Sequence, residues 1–156
     1  MNIKIIAVGK IKEKYVKSAA EEYIKRLSPF YPLTIEEIPP EQITDDSLAE
    51  KYKKIEAEKI LSKIKKDAFV ITLEIQGKSL SSEEFASKIK EITANGINEI
   101  CFVIGGANGL HSSVSERANF KLSFSKMTFT HQMIRILLTE QIYRAAKINA
   151  NEHYHR

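Results

Sequence analysis

Ile100-Cys101-Phe102-Val103-Ile104 runs without a break into Gly105-Gly106-Ala107-Asn108-Gly109. Five apolar residues ending at glycines read as a strand buried on both faces, the kind found inside a parallel sheet. Glycine has no Cβ, so the turn that follows can bring bare backbone N–H and C=O groups against a ligand. A second stretch, Leu122-Ser123-Phe124-Ser125-Lys126-Met127-Thr128-Phe129-Thr130-His131-Gln132, is too polar and irregular for a core helix, yet it leads directly into one. It reads as a second ligand-facing loop.

Outside these stretches, apolar runs alternate with amphipathic ones, the pattern of an α/β domain with a mostly parallel sheet and flanking helices. Strands are expected at Ile3–Val8, Leu33–Ile38, Ala68–Leu73 and Ile100–Ile104, with a weaker one around Leu122–Phe124. In the first helix, Tyr15 and Val16, Ala19 and Ala20, Tyr23 and Ile24, then Leu27 form a stripe at helical spacing that should pack on the sheet. A second helix carries Leu48, Tyr52, Ile55, Ala57, Ile60, Leu61 and Ile64 among lysines and glutamates, which read as a solvated face. The third is punctuated by Ser81 and Glu84 at capping-box spacing and by Asn95-Gly96 as a stop. A short fourth helix is expected to start at Ser113.

The last helix spans roughly His131 to Ile148, with Ile134, Leu137, Leu138, Ile142, Ala145 and Ile148 on one face. Ile136 and Tyr143 project from the opposite side, beside Arg135, Thr139, Glu140, Arg144 and Lys147. Large apolar groups on both sides imply a second contact, most simply a homodimer. Gln141 falls within the apolar stripe and needs a hydrogen-bond partner there.

At 156 residues the chain suits one domain, 1–156, able to bury a core without disulfides or metal. Its single cysteine, Cys101, lies in an apolar run and reads as a core residue rather than a nucleophile, which suits a reducing cytoplasm. The apolar run at Ile3–Val8 is too short for a signal peptide and no other approaches membrane-spanning length, so a soluble, cytoplasmic protein is expected. From Ala118 to Arg156 six basic residues face two acidic ones, so the whole net charge of +4 falls in that quarter. Charge alone leaves two readings open: a surface for a polyanion such as RNA, or a solvated helix face followed by a frayed tail.

Several sites can be set aside. Gly105-Gly106-Ala107-Asn108-Gly109 lacks the glycine spacing of a dinucleotide fingerprint, and only serine stands near residue 125 where an acid would be needed. Gly77-Lys78-Ser79 lacks the first glycine of a phosphate loop, Thr72 standing there instead, and reads as a turn. The histidines lack zinc spacing, so no metal is expected. What remains is a backbone-built site where strands three, four and five end.

At this point the resemblance is specific. Thr72-Leu73-Glu74-Ile75-Gln76-Gly77-Lys78, Val103-Ile104-Gly105-Gly106-Ala107-Asn108-Gly109-Leu110, Leu122-Ser123-Phe124-Ser125-Lys126-Met127-Thr128 and the terminal Tyr154-His155-Arg156 resemble the ribosomal RNA large subunit methyltransferase H family, of the SPOUT class. The resemblance extends over the whole chain, including Ile5-Ile6-Ala7-Val8-Gly9-Lys10. It implies a C-terminal trefoil knot, which ordinary topology rules would not suggest. It also implies a homodimer, S-adenosylmethionine as cofactor, and N3 of a pseudouridine in 23S rRNA as the target, within the assembled ribosome.

By that resemblance Leu73, Gly105, Phe124, Ser125, Lys126, Met127, Thr128 and Phe129 hold the cofactor. His155 and Tyr154 are candidates for proton removal or base positioning, and Arg144 for binding phosphate or a substrate oxygen. Without the resemblance, the terminal Tyr-His-Arg reads as a flexible tail and Arg144 as the surface partner of Glu140. His131 reads equally as a helix-terminal hydrogen-bonding residue. No RNA-binding module is appended, so substrate recognition is expected to use the domain itself and both subunits. A non-catalytic RNA-binding protein is the main alternative, and a flavin or nicotinamide oxidoreductase a weaker one for want of a phosphate fingerprint.

Overall fold

The computed structural model describes residues 1–42 and 44–156. Strands β1 (Asn2–Val8), β2 (Leu33–Ile38), β3 (Phe69–Ser79), β4 (Glu99–Ile104) and β5 (Phe120–Ser123) form one parallel sheet in the order β2-β1-β4-β3-β5. Between them lie α1 (Lys14–Leu27), α2 (Ala49–Ser62), α3 (Ser82–Ala94) and α4 (Ser112–Arg117), with α5 (His131–Asn149) closing the chain. This is the α/β architecture that alternating apolar and amphipathic segments predict.

Period-two alternation sorts the central strands onto two cores. Ile3, Ile5 and Ala7 of β1 and Ile100, Phe102 and Ile104 of β4 pack with α3, α5 and Leu27 of α1. Ile6 and Val8, with Cys101 and Val103, pack with Ala57 and Ile60 of α2 and Val114 of α4. All of β4 is buried, which is why it reads as an unbroken apolar run. Each fully buried Ile or Phe here contributes on the order of 2 kcal/mol of transfer free energy.

The capping box of α3 is present: the Ser81 hydroxyl accepts from the Glu84 N–H at 3.1 Å and the Glu84 carboxylate from the Ser81 N–H at 2.7 Å. The start of α4 differs from expectation. Its cap is His111, whose Nδ1 accepts from the Ser113 N–H at 3.2 Å, so the helix begins at Ser112.

Gly77-Lys78-Ser79 is not a turn but the end of β3, which runs past Leu73 after an irregularity. Leu122 pairs first with Leu73 and again with Lys78, so residues 74–77 are looped out between the two pairings. Gly77 is required by proximity: a Cβ there would lie 2.7 Å from the backbone of Lys121. A glycine next to a lysine and a serine looks like a turn in sequence, but here it admits a neighbouring strand.

Helix α5 departs most from its expected amphipathicity. Arg135 and Thr139, placed by periodicity on the polar side, are both 0 % exposed, because α5 lies between α1 and α3. The Arg135 guanidinium donates to the Gly9 carbonyl at 2.6 Å and to the Glu37 carboxylate at 2.8 Å, while Thr139 donates to the Arg135 carbonyl at 2.9 Å. Tyr143 is covered from within the chain by Tyr23, Phe30 and Tyr154, so its presence on that side does not itself call for a second subunit. Gln141 has its expected partners, accepting from the Ser82 hydroxyl at 2.8 Å and donating to Glu140 at 2.9 Å. Tyr15, expected to pack on the sheet, is 67 % exposed. It sits in the first turn of α1.

Two outcomes follow. Cys101 is fully buried, and burial pushes its thiol up to about 12. The native protein should therefore not react with an aromatic disulfide reagent at pH 8, whereas the urea-unfolded chain should titrate one thiol. Glu37→Ala would leave the Arg135 charge buried without a counter-ion, and should lower the urea-derived unfolding free energy by about 3 kcal/mol. Arg135→Met leaves the part-exposed Glu37 solvated and removes hydrogen bonds to carbonyls, and should cost less, about 2 kcal/mol. The reverse order would contradict this account of the pair.

Candidate functional site

Where the carboxyl ends of β3, β4 and β5 come together, the chain surrounds a cavity of about 750 Å³. That size suits a nucleoside-sized ligand. Three segments form its wall: Leu73 to Ile75, looped out of β3; Ile104 to Leu110 after β4; and Leu122 to Ile134, running from β5 into the first turn of α5. Parallel sheets present backbone at these ends, because each strand must turn there toward its crossover helix.

The glycine loop is folded back on itself. Gly109 donates to the Gly106 carbonyl at 3.0 Å and has φ 76, a left-handed conformation that glycine adopts at little cost. A Cβ on Gly105 would lie 3.0 Å from the backbone of Gly109 and from Leu110, so the bare glycine lets the loop close. The other wall is apolar and open to solvent, with Met127 75 %, Ile75 51 % and Phe129 41 % exposed. Seven of the eight residues expected to hold a cofactor line this cavity: Leu73, Gly105, Phe124, Ser125, Met127, Thr128 and Phe129. Lys126 belongs to the same loop but is not among the lining residues and is exposed.

Two titratable side chains line the cavity, and sequence reading assigned a cofactor role to neither. Glu74 accepts from the Thr72 hydroxyl at 2.6 Å and from the Ser115 hydroxyl at 2.7 Å, which fixes its carboxylate at the rim. An acid following an apolar strand was the available signal. His131 packs against Gly9, whose φ of 100 and lack of a Cβ admit the imidazole; a Cβ there would lie 2.8 Å from the ring. Burial, and then the Arg135 guanidinium, hold His131 below the usual histidine range. Because a guanidinium can only donate, the 3.3 Å contact from Arg135 makes His131 Nδ1 the acceptor and leaves the proton on Nε2. His131 is thus both the helix-terminal hydrogen-bonding residue expected from sequence and part of the cavity wall.

Arg144, Tyr154 and His155 are brought together, but elsewhere. The Arg144 guanidinium donates to Glu140 at 2.6 Å, stacks 4.8 Å over the Tyr154 ring and donates to His155 Nδ1 at 3.2 Å. His155 Nε2 lies 2.7 Å from Glu83 in the first turn of α3, and Tyr154 donates to Glu140 at 3.1 Å. Burial, followed by the Glu140 carboxylate, raises the Tyr154 phenol, so it is a proton donor rather than a base. The tail is therefore docked on α5 and α3. Arg144 lies ten residues beyond Ile134, the last cavity residue of α5, which at 1.5 Å per residue is about 15 Å along the helix.

Half of the basic residues of the last quarter are paired within the fold. Arg135 pairs with Glu37, Arg144 with Glu140 and Lys147 with Glu152. Lys121, Lys126 and Arg156 remain exposed without an acidic partner within 4.0 Å among the described residues. Within those residues, no helix is long and apolar enough to cross a membrane.

Comparison with known proteins places this geometry. A probable methylase family protein from Haemophilus influenzae Rd KW20 superimposes with a TM-score of 0.54 at 17 % identity, covering 96 % of this chain and 66 % of its own. A probable methyltransferase from Bordetella pertussis Tohama I superimposes with a TM-score of 0.57 at 13 % identity, covering 93 % and 96 %. At such identities the two establish a shared fold. The family described as "Predicted SPOUT methyltransferase" matches residues 1–155. With its parallel sheet and its cavity at the strand ends, the chain belongs to the SPOUT methyltransferase family, whose members generally use S-adenosylmethionine.

Proposed function

We propose that this protein transfers a methyl group from S-adenosylmethionine to N3 of a pseudouridine in 23S rRNA of the large ribosomal subunit. The observation that carries the cofactor assignment is the cavity itself, walled by backbone and apolar side chains from three strand ends. Apolar side chains such as Leu73, Leu110 and Phe124 suit an adenine face, and main-chain groups of the 104–110 loop suit its polar edge. The Glu74 carboxylate, on the rim, suits the cationic part of the molecule. A threaded trefoil at the C-terminus is part of the same reading, and the packing of α5 between α1 and α3, well inside the sheet edge where β5 lies, supports it.

The cofactor supplies an electrophilic methyl group, so the protein needs no strong nucleophile of its own. It must hold the base in line and accept the imide proton as N3 takes the methyl group. Arg144 is suited to a phosphate or carbonyl oxygen, Tyr154 to donating a hydrogen bond, and His155 to taking the proton once its Nδ1 is released from Arg144. Arg144 lies about 15 Å along α5 from the cavity of its own chain, with Tyr154 and His155 held beside it. A complete site therefore needs the tail of one copy beside the cavity of another, which makes the active species a homodimer. A non-catalytic RNA-binding role would leave the cavity without a purpose.

Calorimetry should show S-adenosylmethionine binding to the wild type and at least tenfold weaker binding to Gly105→Val, which adds bulk where even a Cβ is crowded. Mass spectrometry of 23S rRNA nucleosides should show one methylated pseudouridine lost when the protein is absent; an unchanged nucleoside profile overturns the assigned substrate. Gly105→Val and Arg144→Ala should each be inactive alone but regain activity when mixed and reassembled, because one of the two hybrid sites is then intact. Mixtures as inactive as the parents would contradict a shared site.

A further inference from the structure

The free positive charge beside the cavity lies in a place that chain-wide charge counting overlooks. Residues 1–117 balance to zero, yet Lys10, Lys12, Lys14 and Lys17 fall within eight residues and include only Glu13 as an acid. All four are exposed, and among the described residues none has an acidic group within 4.0 Å. Lys53, Lys59, Lys63 and Lys65 are each paired with a glutamate, and the exposed lysines that are unpaired elsewhere among the described residues, such as Lys25, Lys78, Lys90 and Lys121, are more scattered along the chain than these first four. In the nearby Glu37 carboxylate, Oε2 already accepts from the Arg135 guanidinium and the Ile11 N–H, at 2.8 and 2.7 Å. Lys14 and Lys17 also sit in the first turn of α1, where no acidic residue offsets them and the helix dipole disfavours cations. Folding alone does not account for this arrangement.

Tyr15 stands among these lysines and is 67 % exposed, although its spacing would allow it to join the apolar stripe of α1. An exposed aromatic ring flanked by unpaired cations can stack on a base while the lysines neutralise phosphates. The corner is also fastened to the cavity wall. Gln132 accepts from the Lys12 N–H at 3.3 Å, His131 packs on Gly9, and both of these side chains line the cavity.

We propose that the β1–α1 corner, with Lys10, Lys12, Lys14 and Lys17 around Tyr15, is the surface on which the protein holds RNA beside the cavity. The inference rests on the RNA-methyltransferase reading but adds a recognition surface to it. The corner is continuous with the wall facing the reacting base, and strand phosphates leading to that base would cross the lysines. An acidic protein partner would match the charge but leave Tyr15 without a role.

The test measures fluorescence anisotropy of a fluorescein-labelled RNA stem-loop across a salt series, with calorimetry of S-adenosylmethionine on the same samples. Changing all four lysines to serine should weaken RNA binding at least tenfold at low salt and reduce the slope of log K against log salt by about 3. Tyr15→Ala should weaken binding roughly tenfold with an unchanged slope, since stacking carries no counter-ion release. Both variants should bind S-adenosylmethionine within twofold of the wild type. If the wild type binds RNA and the lysine variant binds it equally well, the corner is overturned while the RNA reading stands. If the wild type binds S-adenosylmethionine but no RNA, both fall. Polyglutamate or anionic vesicles binding as tightly as RNA, through the same lysines, would also overturn RNA as the occupant.

Discussion

The Arg135 guanidinium, completely shielded from solvent, joins segments 126 residues apart by donating to the Gly9 carbonyl while pairing with Glu37 of β2. A buried guanidinium is costly unless it is paired, and here Nη1 and Nη2 find partners at the carboxyl ends of β1 and β2, while the buried Nε–H has none among the described residues. The first turn of α5 is thereby fixed against the sheet, and with it His131, Gln132 and Ile134, which form one wall of the cavity. Glu37 also accepts from the Ile11 N–H, so the same contact orients the chain entering α1. The cavity and the lysine-rich corner thus share a single anchor.

This anchoring explains why the site has so few conspicuous side chains. The glycine loop and the loop after β5 are shaped mainly by strand ends, by close approaches at Gly77 and Gly105 and by the left-handed conformation of Gly109. Side chains able to handle a proton or a phosphate lie farther along α5, where Arg144, Tyr154 and His155 are tied to Glu140 and Glu83. The cavity and the Arg144, Tyr154 and His155 cluster thus lie at different positions along one helix.

Much of the fold was legible because both faces of the sheet are covered. An apolar run interrupted only by Lys4 marked β1, the run Ile100–Ile104 marked β4, and the capping box marked α3. The cavity was legible too, since glycines after one strand and a polar, irregular run after another mark backbone-built walls. The surroundings of α5 were harder to read. Helical periodicity assumes one wet side, but α5 packs between α1 and α3, so Arg135 and Thr139 are core residues despite their polarity. Tyr15 is the converse, a position in the apolar stripe of α1 that is left in water.

By itself the sequence determined the element order, the parallel α/β class, and the strand ends that had to carry the site, because those depend on local periodicity and on where glycines fall. Which charges remain free was decided only by the tertiary structure. Arg135, Arg144 and Lys147 look like a basic surface in the chain, yet each has a carboxylate partner, two of them on the same helix or in the tail and one 98 residues away. Lys10, Lys12, Lys14 and Lys17 look balanced in a chain-wide count but have no such partner among the described residues. Electrostatic pairing acts over a few ångströms in space, and no count along a sequence contains that distance.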